Sequence, residues 1–333
     1  MNDALLRSPR WLWLIVIVAA ASSLTVVGAQ TSGQGRRVAV TLDDGPVMNE
    51  FSDLAHFQEV TTALINALVA EKVPATVFLL PYQLDIQGQR DGRMAVLTQW
   101  MDAGFELANH TYSHPVASRV PLWQYKDEII RGDAFLRRTM EQHSQKLSWF
   151  RYPTLDSGPD AEYHERLMTF LAQRGYRVAP VSVDYTDYGY NGIYKRLVES
   201  GDKETAAKVK QAYLEAVDPG FDVAEKRSQE LLGYELPQIV LLHCTELNAV
   251  ALQESLQIMR KRGYSFVTLA DAMEDPAYKK RDIFVGSGGS WLDRLARQMG
   301  KPLNHDEGPR MPEWIIKMRG TQQRTRPQPR PQP

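Results

Sequence analysis

The stretch "TLDDGP" from Thr41 to Pro46 places two acids, Asp43 and Asp44, where an apolar alternation of Val38, Val40 and Leu42 stops at a Gly-Pro pair. A turn needs only one acid, so the second is a candidate for proton transfer or metal binding. Turn chemistry with a spare carboxylate is the plain alternative. His110 and His114 stand four apart in "HTYSH", and one helical turn, or a compact loop of similar shape, would aim both imidazoles the same way. With Asp44 they form a three-ligand set of one hard oxygen and two borderline nitrogens, leaving positions for water and substrate as catalytic zinc sites do. Zinc is the first expectation, with cobalt or another divalent ion behind it; packing or capping histidines are the alternative. Further along, Arg151 lies in "FRYP", Asp184 and Asp187 in "VDYTDY", and His243 in "LLHCTE". A packed surface arginine, turn-capping acids and a buried core histidine are the ordinary readings of these.

These groups need elements to position them. From about Arg37 to Leu269, short β-branched runs alternate with segments of helical period, which argues for parallel strands joined by helices. The expected strands are "VAVTL", "ATVFLL", "FELANH", "WFRY", "RVAPVSV", "IVLLH" and "SFVTL", about as many as a small barrel needs. Val60, Leu64, Ala67 and Leu68, then Ile129, Ile130 and Leu136, then Leu252, Leu256 and Met259 have the spacing of buried helical faces. The segment 190–236 is longer than an ordinary connection and carries charges at helical spacing, so it reads as inserted helices over the strand ends, a lid or a prop. Every polar group named above falls at the C-terminal end of an expected strand. In a parallel barrel that edge assembles one pocket.

The ordered set "TLDDGP", "HTYSH", "RYP", "DYTDY" and "LLH" resembles the motifs of the polysaccharide deacetylases, carbohydrate esterase family four, also described as the NodB homology domain. The resemblance implies an α/β fold, a distorted (β/α) barrel of about seven parallel strands, and metal-dependent removal of acetyl groups from sugars. It implies that Asp43 is the general base, that Asp44, His110 and His114 hold the metal, and that His243 is the general acid. It also implies that Arg151 orients Asp43, that an acid, here Asp187, aligns His243, and that Tyr152, Pro153, Thr154 and Tyr188 line the substrate groove. Hydrolysis of an N-acetyl amide asks for the same division of labour: a polarised carbonyl, a deprotonated water and a proton for the leaving amine. Tyr188 stands where the family more often has tryptophan, Leu42 replaces a phenylalanine, and "RYPTLDSG" departs from the usual run. These differences bear on the bound sugar and not on the reaction.

The 333 residues are 43% hydrophobic and 24% charged, with 39 basic against 40 acidic side chains, which suits a globular protein and gives no electrostatic footprint for nucleic acid. The single cysteine, Cys244, cannot form an internal disulfide. Residues 1–29 combine Arg7 and Arg10, an apolar run and the small residues Val27-Gly28-Ala29, the pattern of a secretory signal peptide, with an uncleaved membrane anchor as the alternative. A catalytic domain over 37–276, a C-terminal extension over 277–320 and a disordered Pro/Arg/Gln tail over 321–333 complete the expected organisation. The chain thus reads as an exported, periplasmic, metal-dependent hydrolase of acetylated carbohydrate such as peptidoglycan or an exopolysaccharide, acting on a carbon–nitrogen bond. An O-acetyl esterase and a non-catalytic carbohydrate-binding envelope protein are its rivals. If the leader is a signal peptide, the exported protein begins at Gln30, which mass spectrometry of the periplasmic fraction checks; an intact Met1 in the membrane fraction means an anchor.

Overall fold

The computed structural model describes residues 35–48, 53–301 and 310–323. The expected leader and the Pro-rich end of the tail lie outside these. Among the described residues no helix is long and apolar enough to cross a membrane.

The central strand is β1 (Arg37–Gly45), followed by α1 (Leu54–Ala70), β2 (Thr76–Leu79), α2 (Arg90–Asp102), β3 (Glu106–Asn109), α3 (Leu122–Glu141), β4 (Trp149–Phe150), α4 (Ala161–Gln173), β5 (Arg177–Val178) and β6 (Val183–Asp184). Three helices come next, α5 (Asp187–Glu199), α6 (Lys203–Glu215) and α7 (Val217–Leu232), so the segment 190–236 is helical throughout most of its length. The chain continues through β7 (Gln238–His243), α8 (Glu246–Lys261), β8 (Ser265–Phe266), α9 (Leu269–Ala272), α10 (Trp291–Gln298) and α11 (Glu313–Gln323). Helix α11 therefore enters the first residues of the segment expected to be an unstructured tail.

All strand pairings are parallel, in the order β5-β4-β3-β2-β1-β7-β6, with β8 joined to the first residues of β1. Strands β1 and β7 each have a neighbour on both sides and are buried almost throughout, with apolar runs at residues 38–40 and 239–242. The helical stripes expected from spacing are buried, except that Ile130 faces solvent; it is next to buried Ile129 and so points about 100° away around α3.

The run "RVAPVSV", expected as one strand, is two. Pro180 has no N–H to give to a ladder, and the chain breaks there into β5 and β6, which form the opposite edges of the sheet. Only residues 179–182 separate these edges in sequence, so the sheet curls toward itself and leaves a seam. Arg151, fully buried, spans the interior at this seam. Its Nε and Nη2 donate to the carbonyls of Ala179 (3.3 Å) and Pro180 (3.2 Å), and its Nη1 donates to Thr41 Oγ1 and Asp43 Oδ1, both at 2.7 Å. The guanidinium also lies 4.2 Å from the centre of the Phe78 ring.

The outer side of the seam is filled by the C-terminal extension. Trp291 N donates to Val181 O (2.5 Å) and Ser157 N to Gly286 O (3.0 Å), while Trp291, Leu292 and Ala296 of α10 join the main core. Removing one partner from a buried ion pair strands the other. Arg151→Met is therefore expected to cost about 3–5 kcal/mol in urea-induced unfolding, and a loss below about 1 kcal/mol would show that the seam does not depend on it.

Candidate active site

A strand alternates its side chains between faces, so Asp43 and Asp44 should point apart if β1 stayed regular. It does not. The pairing with β2 shifts register between Leu42 and Gly45, and Asp44 takes a left-handed backbone with φ of 59°. This bulge turns both carboxylates into one cavity. Gly45 is needed beneath it, since a Cβ there would lie 2.7 Å from a methyl of Val77.

The histidine loop is not a helical turn. Thr111 and His114 both have positive φ, at 71° and 64°, and side chains hold the loop from below. Asn109 Oδ1 accepts from Thr111 N (2.8 Å), Thr111 Oγ1 from His114 N (3.0 Å), and Glu128 Oε2 from both the backbone N and hydroxyl of Ser113 (2.8 Å each). Helix α3 reaches this loop at Gly132, where a Cβ would stand 2.8 Å from Asn109 Oδ1 and 3.2 Å from the Thr111 carbonyl.

The loop delivers His110 to a defined tautomer. Its Nδ1 lies 2.9 Å from the Arg151 carbonyl, which can only accept, so the proton is on Nδ1 and Nε2 carries a lone pair. Burial, reinforced by neighbouring His114, lowers the His110 pKa to about 3, so the ring is neutral. Its Nε2 faces Asp44 Oδ1 at 3.6 Å and Asp43 Oδ2 at 3.7 Å, and His114 Nε2 is 3.3 Å from the same Asp44 oxygen. Asp44 Oδ1 is nevertheless buried without a hydrogen bond. Lone pairs that converge with no proton between them suit a cation, and the ligand atoms of Asp44, His110 and His114 all lie within 4.8 Å of one another. One oxygen and two imidazole nitrogens fit a divalent metal, and the His110–carbonyl bond is the outer-shell contact such ligands use.

On the other side of the cavity His243, at the end of β7, pairs in register with Asp43. Asp187 Oδ1 lies 2.7 Å from His243 Nδ1, and Asp187 Oδ2 accepts from His243 N (2.7 Å) and Asn248 Nδ2 (2.6 Å). Burial alone would lower the His243 pKa, but the Asp187 carboxylate, with Asp44 and Asp43 behind it, outweighs burial and holds it up to about 10. Two histidines of one site are thus driven to opposite protonation states. Asp184 is a cavity-lining acid that also accepts from Thr186 N (2.7 Å), which is the turn-capping arrangement, and burial raises its pKa.

Asp43, Asp44, His110, His114, Thr154, Asp184, Tyr188 and His243 line one cavity of about 600 Å³, with Arg151 and Asp187 directly behind it. The edge of Tyr188 meets His243 at 5.5 Å between ring centres. Two expected groove residues fall elsewhere. Tyr152 is buried, donates to Met168 Sδ (3.0 Å) and lines a neighbouring cavity, and Pro153 is buried beneath the turn that exposes Thr154. Residues Pro153–Leu155 form a single 3-10 turn in which Thr154 has a positive φ of 54°, and of Tyr152, Pro153 and Thr154 only Thr154 reaches this cavity.

Sequence reasoning missed the far wall: Ser182 from the seam, Arg227 and Ala224 from α7, and Ser287, Gly288 and Asp293 from the extension. The run "GSGGS" from 286 to 290 was a visible signal of a loop with unusual backbone, and Gly286, Gly288 and Gly289 do have positive φ. Arg227 and Asp293 offered none, being ordinary charges on helical segments.

Residues 30–179 match the family model for polysaccharide deacetylase. A chitooligosaccharide deacetylase of Bradyrhizobium sp. (strain ANU 289) is 26% identical over 193 residues, which are 58% of this chain and 75% of that protein. A peptidoglycan-N-acetylglucosamine deacetylase of Bacillus cereus is 28% identical over 152 residues, 45% of this chain and 46% of its own length. Among solved structures, a CE4 family pseudoenzyme from Bacillus anthracis superposes with a TM-score of 0.46 at 19% identity, covering 72% of this chain and 66% of that one. The family match contains Asp43, Asp44, His110, His114 and Arg151 and ends before Asp187 and His243.

The raised His243 pKa has a thermodynamic consequence. Below its ordinary value of 6.5 the pair's contribution to stability is fully present, and it is lost as pH rises through about 10. The unfolding free energy of metal-free protein, from urea titrations, is expected to fall across that interval, and Asp187→Asn is expected to remove most of the fall. Equal slopes in the two proteins would place its origin elsewhere.

Proposed function

We propose that this chain is a member of the polysaccharide deacetylase family, whose model matches residues 30–179, and that it is an exported hydrolase that uses a divalent metal to remove N-acetyl groups from a carbohydrate. One observation carries the metal dependence: the His110 lone pair and the buried, unbonded Asp44 Oδ1 converge with His114 on a single point. A divalent ion held by these three residues, zinc or cobalt being suited to the donor set, would supply Lewis acidity at the acyl carbonyl and acidify water.

The chain's own groups do the remaining work. Asp43, oriented by the Arg151 guanidinium at 2.7 Å, takes the proton of the attacking water. His243, held protonated and aligned by Asp187, gives a proton to the departing amine, without which an amide nitrogen leaves poorly. The exposed Tyr188 ring and the Thr154 turn border the mouth and are suited to meet the sugar. The named relatives point to chitooligosaccharide-like or peptidoglycan-like N-acetylglucosamine chains as the substrate class. Export to the periplasm rests on the residue pattern of 1–29.

Two variants separate the adjacent acids. Asp43→Asn is expected to lower acetate release from acetylated glucosamine oligomers by at least about 100-fold while bound metal is retained. Asp44→Asn is expected to weaken metal binding, with excess zinc or cobalt restoring part of the activity. Metal analysis and acetate assays on both proteins decide the matter: loss of metal from Asp43→Asn and retention by Asp44→Asn would reverse the assignment. Wild-type protein that works at full rate in a strong chelator would end the metal-dependent reading.

A further inference from the structure

Asp187, which aligns His243, has every acceptor position filled. Its Oδ1 accepts from Tyr188 N (2.8 Å) and lies 2.7 Å from His243 Nδ1, while Oδ2 accepts from His243 N (2.7 Å) and Asn248 Nδ2 (2.6 Å). Two of these donors are backbone groups and cannot be lost without moving the chain, and a third is the ring being aligned. The fourth is a side-chain amide. Turned over about its last bond, it would present an oxygen to the carboxylate in place of an N–H. The direction of the Asn248 amide is therefore a variable on which the hold on His243 depends.

Its surroundings allow one direction. Nδ2 faces Asp187 Oδ2 and the His243 carbonyl (2.8 Å), so both of its protons are used and Oδ1 needs a donor from elsewhere. That donor is Tyr213 of the inserted helix α6, whose hydroxyl gives its proton to Asn248 Oδ1 at 2.6 Å. The reversed amide would set Oδ1 against a carboxylate oxygen and a carbonyl oxygen at these same short distances, so the hydrogen-bond partners select the observed orientation. Tyr213 and Asn248 are both 0% exposed and Asp187 is 1% exposed. Burial pushes the Tyr213 pKa well above its ordinary value, which keeps the phenol a donor. The rings of Tyr185 and Tyr190, centred 5.7 and 5.8 Å away, hold the Tyr213 ring in place.

Resting on the deacetylase reading above, in which His243 protonates the departing amine, we propose that Tyr213 and Asn248 are positioning residues for that proton transfer, and that the inserted helix α6 serves the reaction as a prop for the acid. Neither side chain lines the catalytic cavity. They act through a line of hydrogen bonds from Tyr213 to Asn248, to Asp187 and to His243 Nδ1, which leaves the His243 proton on Nε2 directed at the substrate. In the step they serve, the carbon–nitrogen bond breaks, its electron pair goes to nitrogen, and the Nε2 proton joins that nitrogen. Asp43 is held separately, by Arg151, and His110 by the Arg151 carbonyl. Loss of the Tyr213 hydroxyl should then spare metal binding and water activation and impair only the proton delivery. An amine cannot leave without that proton, whereas a phenolate can, so the damage should depend on the leaving group.

The test compares zinc-loaded wild type, Tyr213→Phe and Asn248→Ala on an N-acetylglucosamine tetramer and on 4-nitrophenyl acetate, with bound zinc measured in each protein. On the tetramer, kcat is expected to fall about fivefold or more in Tyr213→Phe and about tenfold or more in Asn248→Ala, with KM within about twofold of wild type. On the ester, both variants should stay within about twofold of wild type, with zinc retained. Tyr213→Phe keeps the ring and is the decisive variant if Asn248→Ala does not fold. Tyr190→Phe, which removes a hydroxyl from the same aromatic cluster and leaves the Tyr213–Asn248 bond in place, should match wild type on both probes. Equal losses on tetramer and ester, or a tetramer kcat within about twofold of wild type in folded Tyr213→Phe, overturn the positioning role and leave the deacetylase reading standing. Zinc-loaded wild type that releases no acetate from the tetramer overturns the deacetylase reading, and the positioning role with it.

Discussion

The rest of this structure depends on one buried guanidinium. Arg151 has to be charged in a place where burial works against charge, and every group around it is arranged to make that tolerable. Two carbonyls from the break between β5 and β6, the Thr41 hydroxyl, the Asp43 carboxylate and the face of Phe78 surround it. The same residue's backbone carbonyl accepts from His110. A single position therefore closes the barrel seam, fixes an acid and selects a histidine tautomer. Fold and site share a foundation here, which explains why the chemistry sits at this seam and not elsewhere along the strand ends.

Electrostatic environment then differentiates residues of one type. His110 and His243 face the same cavity, the first buried and the second half-buried, and both lie beside acids. His110 has its Nδ1 committed to a carbonyl and a second imidazole nearby, so burial wins and the ring stays neutral. His243 has its Nδ1 on a carboxylate that is itself held by Asn248 and the backbone of Tyr188, so the charge wins. One ring is left with a lone pair and the other with a proton, and hydrolysis of an amide calls for both.

The C-terminal extension belongs to the same architecture. Arg294 is almost buried and bonds Asp282 at 2.8 Å, the Gly288 carbonyl at 3.1 Å and the Leu155 carbonyl. It pins the glycine-rich loop onto the Thr154 turn, where Gly288 N also donates to Thr154 O (3.3 Å). Cavity walls that in sequence look like linker are held by backbone carbonyls, which any sequence presents. That is why their role is invisible until the chain is folded.

Sequence by itself determined a good deal. The alternation of apolar runs and helical stripes was enough for a parallel α/β sheet, because burial on both faces demands continuous apolar strands and amphipathic helices. The residue types at the strand ends were enough to single out a candidate metal-ligand set and a candidate acid–base pair, because few side chains can do either task. Tertiary structure alone decided three things. Strand alternation would have separated Asp43 from Asp44, and only the left-handed bulge at Asp44 brings them together. One apparent strand became two opposite edges, since Pro180 interrupts the ladder and Arg151 takes the freed carbonyls. The far wall of the cavity was set by Ala224, Arg227 and Asp293, residues with no local signature, because what lies opposite a side chain across a cavity is a property of the packing and not of its neighbours in sequence.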